Sequence, residues 1–243
     1  MKNITALATG ALAVVAVSGA LTACTPTTEK PYTGAAPATP TIWTGSPAPA
    51  HEGGHGQASE AADAAPAQGA TLNQYIVDNK IGEFPIKKGD AGTPIFEFPF
   101  PPDWRSAGDK TPDWAYGAIV YDKAPDPNDP PFMYAIASKL TGNVDASKIL
   151  DLASGQLDEL PDFKSVGGPP ERTKFDGYDA VSYAGTYTWQ GQSRAVGQET
   201  IVIPGKDALF VLQLNGEAPK GQEQAVLDAV DLIRAKTNIT VPS

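Results

Sequence analysis

The chain has 243 residues, 41% of them hydrophobic, with 18 Lys plus Arg against 28 Asp plus Glu and a formal net charge of -10. Its single Cys is Cys24, its His residues are His51 and His55, and beyond the initiator its Met is Met133, so everything after residue 70 lacks thiol and imidazole. That excludes from the C-terminal part a disulfide, a cysteine or Ser-His-Asp nucleophile system and a zinc site of thiolate or imidazole ligands, and the acidic balance offers no footprint for nucleic acid and no charge attraction to an anionic membrane.

The first elements are an address and a tether. Met1-Lys2 carries one positive charge, and Asn3 to Ala23 has no charged residue and is mostly Ala, Val, Leu, Gly and Thr. This reads as a secretory leader over 1–23. It ends in Leu21-Thr22-Ala23-Cys24, a bacterial lipobox: small neighbours admit the signal peptidase, and the thiol of Cys24 carries the acyl group. An uncleaved span is the competing reading, since about 20 uncharged residues could cross a bilayer, but the position of the sole Cys favours processing. Residues 24–70 are then a lipidated Cys and a tether rich in Ala, Pro, Thr and Gly, whose large apolar side chains are Tyr32, Ile42 and Trp43. Such a composition buries too little surface to offset its ordering entropy. As a flexible chain it spans about 35 to 40 Å. His51 and His55 among glycines read as linker composition rather than a metal tract.

From Thr71 to the C-terminus the pattern is that of one folded domain, 71–243. Thr71 to Lys80 opens with a Thr/Gln capping signature and predicts a short helix. Ile95 to Phe98 reads as a strand stopped by prolines, and Trp114 to Tyr121 and Phe132 to Leu140 are strand-like runs joined by the proline-rich Ala124 to Pro131. Asp145 can cap a helix running to Leu160, with Pro161 as its stop. Arg172 to Phe175, Tyr178 to Gln190, Gln192 to Ile203 and Asp207 to Asn215 follow at hairpin spacing, separated by Asp176-Gly177, Gly191 and Pro204-Gly205. The run Ala208 to Leu214, apolar on both faces, predicts an interior strand. Gly221 to Lys236 predicts a final helix with Val226, Val230 and Ile233 on one stripe and Leu227 beside it. The expected fold class is α+β, an antiparallel sheet packed by helices.

Three groups of residues are candidate sites. Asp126 to Pro131 resembles a cation loop but fails the EF-hand spacing, so it reads as a rigid connection and no metal site is predicted. Glu97 and Glu199 are the best acids for a glycosidase reading, because each sits in an apolar strand pattern where burial would raise its pKa; the bland alternative is that both face solvent. The third group is aromatic: Phe96, Phe98, Phe100, Trp104, Trp114, Tyr116 and Tyr121. Phe96 and Phe98 share a strand face and read as core, while Phe100, Trp104, Trp114 and Tyr116 are the candidate ligand-binding residues, since loop aromatics beside a sheet hold acyl chains by area and sugar rings by stacking. No catalytic residue and no cofactor are predicted.

Asp126-Pro-Asn-Asp-Pro-Pro131, Ala137-Ser-Lys-Leu-Thr-Gly142, Pro102-Asp-Trp-Arg105 and Val211-Leu-Gln-Leu-Asn215, in that setting of lipobox and polar tether, resemble the mycobacterial LpqN/LpqT lipoproteins, a family that includes a proline-rich secreted antigen. The likeness runs from about Thr71 to the C-terminus. It implies a PsbP-like α/β/α sandwich and a cell-envelope role, in which such lipoproteins associate with the MmpL-type exporter of trehalose monomycolate and bind trehalose glycolipids. The leading expectation is therefore a non-enzymatic carrier or adaptor held on the extracytoplasmic face of the membrane through acylated Cys24. A carboxylate-dependent hydrolase of envelope glycans or esters, and a shed surface antigen that contacts host proteins, are the alternatives. Cys24→Ser should abolish incorporation of radiolabelled fatty acid by cells expressing the precursor, and label entering that variant would overturn the lipobox reading.

Overall fold

The computed structural model describes Leu72–Pro242. The leader, Cys24, the tether with His51 and His55, and Thr71 of the capping signature lie outside the described residues. Helix α1 (Leu72–Asp78) buries Leu72 and Ile76. The strands are β1 (Gly82–Pro85), β2 (Ile95–Glu97), β3 (Trp104–Ser106), β4 (Gly117–Tyr121) and β5 (Phe132–Thr141), then, after helices α2 (Ala146–Leu152) and α3 (Gly155–Asp158), β6 (Lys164–Ser165), β7 (Glu171–Phe175), β8 (Tyr178–Trp189), β9 (Gln192–Pro204) and β10 (Leu209–Pro219). Helix α4 (Glu223–Lys236) and β11 (Asn238–Thr240) close the chain.

Nine strands form one antiparallel sheet in the order β3-β4-β5-β10-β9-β8-β6, with β1 on the free part of β5 and β7 on the first half of β8. The fold is thus α+β, as the spacing of elements predicts. Both tight hairpins follow from local chemistry: Asp176 and Gly177 have φ of 47° and 82°, and Gln190 and Gly191 have 50° and 77°, the two consecutive left-handed residues of a type I′ turn whose twist matches the strands. Of the run 208–214, all but Ala208 lies in β10, between β5 and β9, with Leu212 fully buried.

The predicted helix 145–160 is two helices. Asp145 does cap it, accepting from the backbone N–H of Ser147 at 2.8 Å. The break falls at Ala153-Ser154-Gly155, where Ser and Gly are poor helix interiors, and a shorter bond from Leu157 N to Ser154 O at 3.0 Å restarts the turn. This rotation buries Ile149 and Leu150 in α2 and Gln156 and Leu157 in α3. Strands β1, β3, β6 and β11 carry no readable alternation because they are two to four residues long.

The two sheet faces differ. Helices α1 and α2 cover the face bearing Tyr134, Ile136, Leu140, Val181, Val202 and Val211. That face also holds a buried polar ladder: Gln213 Nε2 donates to Thr200 Oγ1 at 3.3 Å, Asn215 Nδ2 to Gln213 Oε1 at 3.3 Å and Gln198 Nε2 to Asn215 Oδ1 at 3.4 Å. At its end Arg194 pairs with Glu217 and, at 2.8 Å to both oxygens, with Asp129. The proline-rich connection 124–131 is therefore pinned by an arginine. The opposite face, with Met133, Ala135, Ala137, Ile201, Leu212 and Phe175, receives α4 through Ala229 and Ile233. Beyond α4, β11 pairs with β2 in a small second sheet, and Ile239 N donates to Asp176 Oδ2 at 2.6 Å, which ties the chain end to the β7–β8 turn.

Helix α4 can approach β10 because Gly216 has no side chain: a Cβ there would stand 2.6 Å from Val226 Cγ1 and 3.6 Å from Met133 Cγ. Overpacking at such a contact costs roughly 1–3 kcal/mol. Gly216→Val in the mature chain 24–243 carrying Cys24→Ser should lower the urea midpoint by a corresponding amount, and an unchanged midpoint would show that α4 is not seated on this strand.

Candidate functional site

The α4 face contains two grooves, one on each side of the helix. The first encloses about 360 Å³ and the second about 370 Å³, within the roughly 300–1,000 Å³ of small-molecule sites. They share Met133 and Leu214 of the sheet and Ile233 of α4.

The first groove exists because its floor is made of small residues. Strands β8, β9 and β10 send Ser182, Ala184 and Thr186, Ala195 and Gly197, and Gly216 and Ala218 toward α4, and the helix spans them with Val226, Leu227, Val230 and Ile233. A Cβ on Gly197 would meet only Ala184 Cβ, at 3.8 Å. The side chains that fill a core are missing here, so helix and sheet cannot close on each other. Alternation along β8 places Tyr183, Tyr187 and Trp189 on the other face and leaves the small residues here. Val166, 62% exposed, and Leu227, 55% exposed, stand at the rim.

One end of this groove is polar. Glu199, 6% exposed, lies opposite Ser182 in the β8–β9 register, and Ser182 lies opposite Glu171. Arg234 Nη1 is 3.3 Å from Glu199 Oε1, and Arg234 Nη2 donates to Thr173 Oγ1 at 2.7 Å. Burial pushes the Glu199 carboxyl up to about 7, against the opposing pull of Arg234. Glu97 is elsewhere, exposed on the small second sheet, where it accepts from Asn238 Nδ2 at 3.0 Å. The two acids considered for hydrolysis thus sit in different sheets with different partners, and only Glu199 lines a groove.

The second groove is aromatic. Phe96, Phe98, Phe100 and Tyr116 line it above Gly117, Ile119 and Ala135, with Lys88, Ser106 and Thr111 as its polar members. Phe96 and Tyr116 meet edge to face at 5.1 Å, and burial raises the Tyr116 phenol above its ordinary range, offset in part by a hydrogen bond with the Phe96 backbone. Phe100 is 64% exposed at the rim.

The four aromatics singled out from the sequence are therefore split. Phe100 and Tyr116 line the second groove. Trp104 is buried on β3 against Tyr121, with ring centroids 5.5 Å apart, and Trp114 packs on Tyr134 at 5.2 Å beneath the α1–α2 layer, on the opposite face of the sheet. Arg234 was not readable as a site residue, because in sequence it is a basic residue in the last turn of α4, where it complements the helix dipole. The one available signal for the first groove was the run of small residues on alternate positions of β8 and β9. Among the described residues no group of three Asp, Glu, His or Cys is placed to hold a metal ion, and no helix is long and apolar enough to cross a membrane.

The raised Glu199 carboxyl has a stability consequence. The unfolded chain ionises this acid near 4.5, whereas the folded chain keeps it protonated to about 7. Between those values the unfolded state binds fewer protons, so stability falls as pH rises, by about 1.4 kcal/mol per unit at most and roughly 3 kcal/mol over the window. Glu199→Gln should remove that slope: its urea-derived stability relative to the parent should increase from pH 4.5 to pH 7 and then level off, and parallel profiles would show that Glu199 is not buried.

The family described as "Probable lipoprotein LpqN" matches residues 68–240. Over 172 residues the chain is 42% identical to Lipoprotein LpqN of Mycobacterium tuberculosis (strain ATCC 25618 / H37Rv), covering 70% of this chain and 74% of that protein. The crystal structure of LpqN of Mycobacterium tuberculosis, described as involved in cell envelope biogenesis, superposes with a TM-score of 0.66 at 41% identity and covers 71% of this chain and 98% of that one. The match spans both grooves and the whole nine-stranded sheet, and on that basis the chain belongs to the LpqN lipoprotein family.

Proposed function

We propose that this chain is a non-enzymatic binding protein of cell-envelope biogenesis, held on the extracytoplasmic face of the membrane through acylated Cys24, whose α4 grooves take the acyl part of a trehalose glycolipid or present it to an MmpL-type mycolate exporter. The observation that carries this reading is the placement of exposed apolar side chains: Val166 and Leu227 at the first groove and Phe100 at the second. Large apolar side chains left in water beside an unfilled groove mark a surface that is covered when the protein works. The grooves are mostly apolar with a few polar groups, which suits one chain and one head better than a compact polar metabolite. The PsbP-like layering implied by the family resemblance belongs to the same proposal.

Hydrolysis is favoured by one feature, the acid at Glu199 with its raised pKa. Carboxylate-dependent glycoside cleavage uses a second carboxyl about 5 to 9.5 Å away on the other side of the scissile bond. Glu171 and Glu223 also line this groove, but the side chain that Glu199 contacts is Arg234, which would restrain a ligand rather than attack it. Binding is the reading this geometry supports best.

Gly197→Leu places a side chain in the first groove without a clash at Cβ. The Cys24→Ser mature chain should bind a trehalose monoester of a long fatty acid by native mass spectrometry, and Gly197→Leu should weaken that binding at least tenfold with little change in stability. A parent chain that neither binds the glycolipid nor captures the exporter's periplasmic domains would overturn the proposal.

A further inference from the structure

The polar end of the first groove carries a deeper reading of the same site, and it rests on the proposal that the groove binds an amphiphile. Glu199 Oε1 is buried and has no hydrogen-bond partner. Its neighbour Arg234 Nη1 lies 3.3 Å away but outside hydrogen-bond geometry, while the other arm of that guanidinium is held by Thr173. An acceptor left unmade in the interior costs about 1–3 kcal/mol, more when charged, and the residue that carries this one lines the groove. The orphaned oxygen is a place prepared for a donor from outside the chain.

The charges around it define that donor. The charged side chains lining the groove are Glu171 from β7, Glu199 from β9, and Glu223 and Arg234 from α4. Glu223 stands in the first turn of α4, about 16 Å along the helix from Arg234, so an anionic group at this end would face the carboxyls of Glu171 and Glu199, and a cationic one would sit beside the Arg234 guanidinium. A neutral group that both donates and accepts fits between them: its O–H satisfies Glu199 and its oxygen takes a guanidinium N–H. Toward the rest of the groove the lining changes to Ala184, Ala195, Gly197, Leu214, Val226 and Val230, so the polar group must be joined to an alkyl chain.

We infer that Glu199 and Arg234 are the specificity-determining pair of this groove, recognising a hydroxyl at the junction between the alkyl chain and the polar part of a neutral amphiphile. The hydroxyl donates to Glu199 Oε1 and accepts from Arg234. It can belong to a sugar head or to the acyl chain itself, and the two sources are separated by the choice of probe.

The test measures affinities of the Cys24→Ser mature chain for three nonionic probes below their aggregation concentrations. These are dodecyl maltoside, with hydroxyls on the head; methyl 3-hydroxytetradecanoate, with a hydroxyl on the chain; and a methyl-capped oligo(ethylene glycol) dodecyl ether, which only accepts. One or both hydroxyl-bearing probes should bind about tenfold tighter than the capped ether, the scale of one hydrogen bond to a charged or strongly polar partner, and the tighter probe identifies the source. Glu199→Leu should remove the discrimination between the hydroxyl-bearing probes and the capped ether, and Glu199→Gln, whose amide oxygen still accepts, should retain most of it. Arg234→Gln, at the more exposed end of the pair, should reduce discrimination several-fold and serves if the leucine variant does not fold. Equal binding of all three probes, with Gly197→Leu weakening each, would overturn the inference and leave the groove reading intact. No binding of any probe would overturn both.

Discussion

Helix α4 rests on the sheet over a glycine, and most of what is distinctive about this molecule depends on that contact. With no side chain at Gly216, Val226 reaches the backbone of β10 and the helix lies close along the middle of the sheet. The sheet is wider than one helix diameter of about 10–12 Å, so a single helix leaves open strips on either side. On the first face the same problem is met by several short helices packed on large side chains, and the layer closes. On the second it is met by α4 and the narrow β2–β11 arm, and the strips remain as two grooves.

The difference in filling explains why one face is a core and the other carries two grooves. Tyr134, Tyr187, Val181 and Val211 occupy the first face, together with an amide ladder whose members bond to one another along β9 and β10. Buried polar groups of this kind are stable when each finds a partner. On the second face the pattern is inverted: small residues line β8 and β9, and the one buried acid, Glu199, has an oxygen without a bond. A face with too little volume and one unmet acceptor is a face that gains from a ligand, since an occupant supplies both the missing contacts and the missing donor.

The location of charge fits a protein that works at a membrane without adhering to it electrostatically. A net charge of -10 gives no affinity for anionic headgroups, so the proposed attachment is through acyl chains on Cys24. The grooves are mostly apolar, and the acidic excess lies largely on exposed loops and helix surfaces. In the proposed role, an amphiphile is accepted through the α4 face while the rest of the surface stays solvated.

Much of the architecture was legible in the residues. Alternation marked β5, β8 and β9, Asp-Gly and Gln-Gly steps marked the hairpins, and Asp145 marked a helix start, because these features depend on neighbours in the chain. The scarcity of Cys and His, the lipobox and the family likeness were also complete in sequence. What the sequence could not assign was the destination of each aromatic: Trp104 and Trp114 look alike beside their loop, yet one is sealed on the α4 side and the other on the opposite face, while Phe100 and Tyr116 border an opening. The meeting of Glu199 with Arg234, thirty-five positions later, was equally invisible. Local periodicity determines which face of a strand a side chain takes; whether that face is filled or left open depends on the width of the sheet and the volume of what packs across it, and only the tertiary structure sets those.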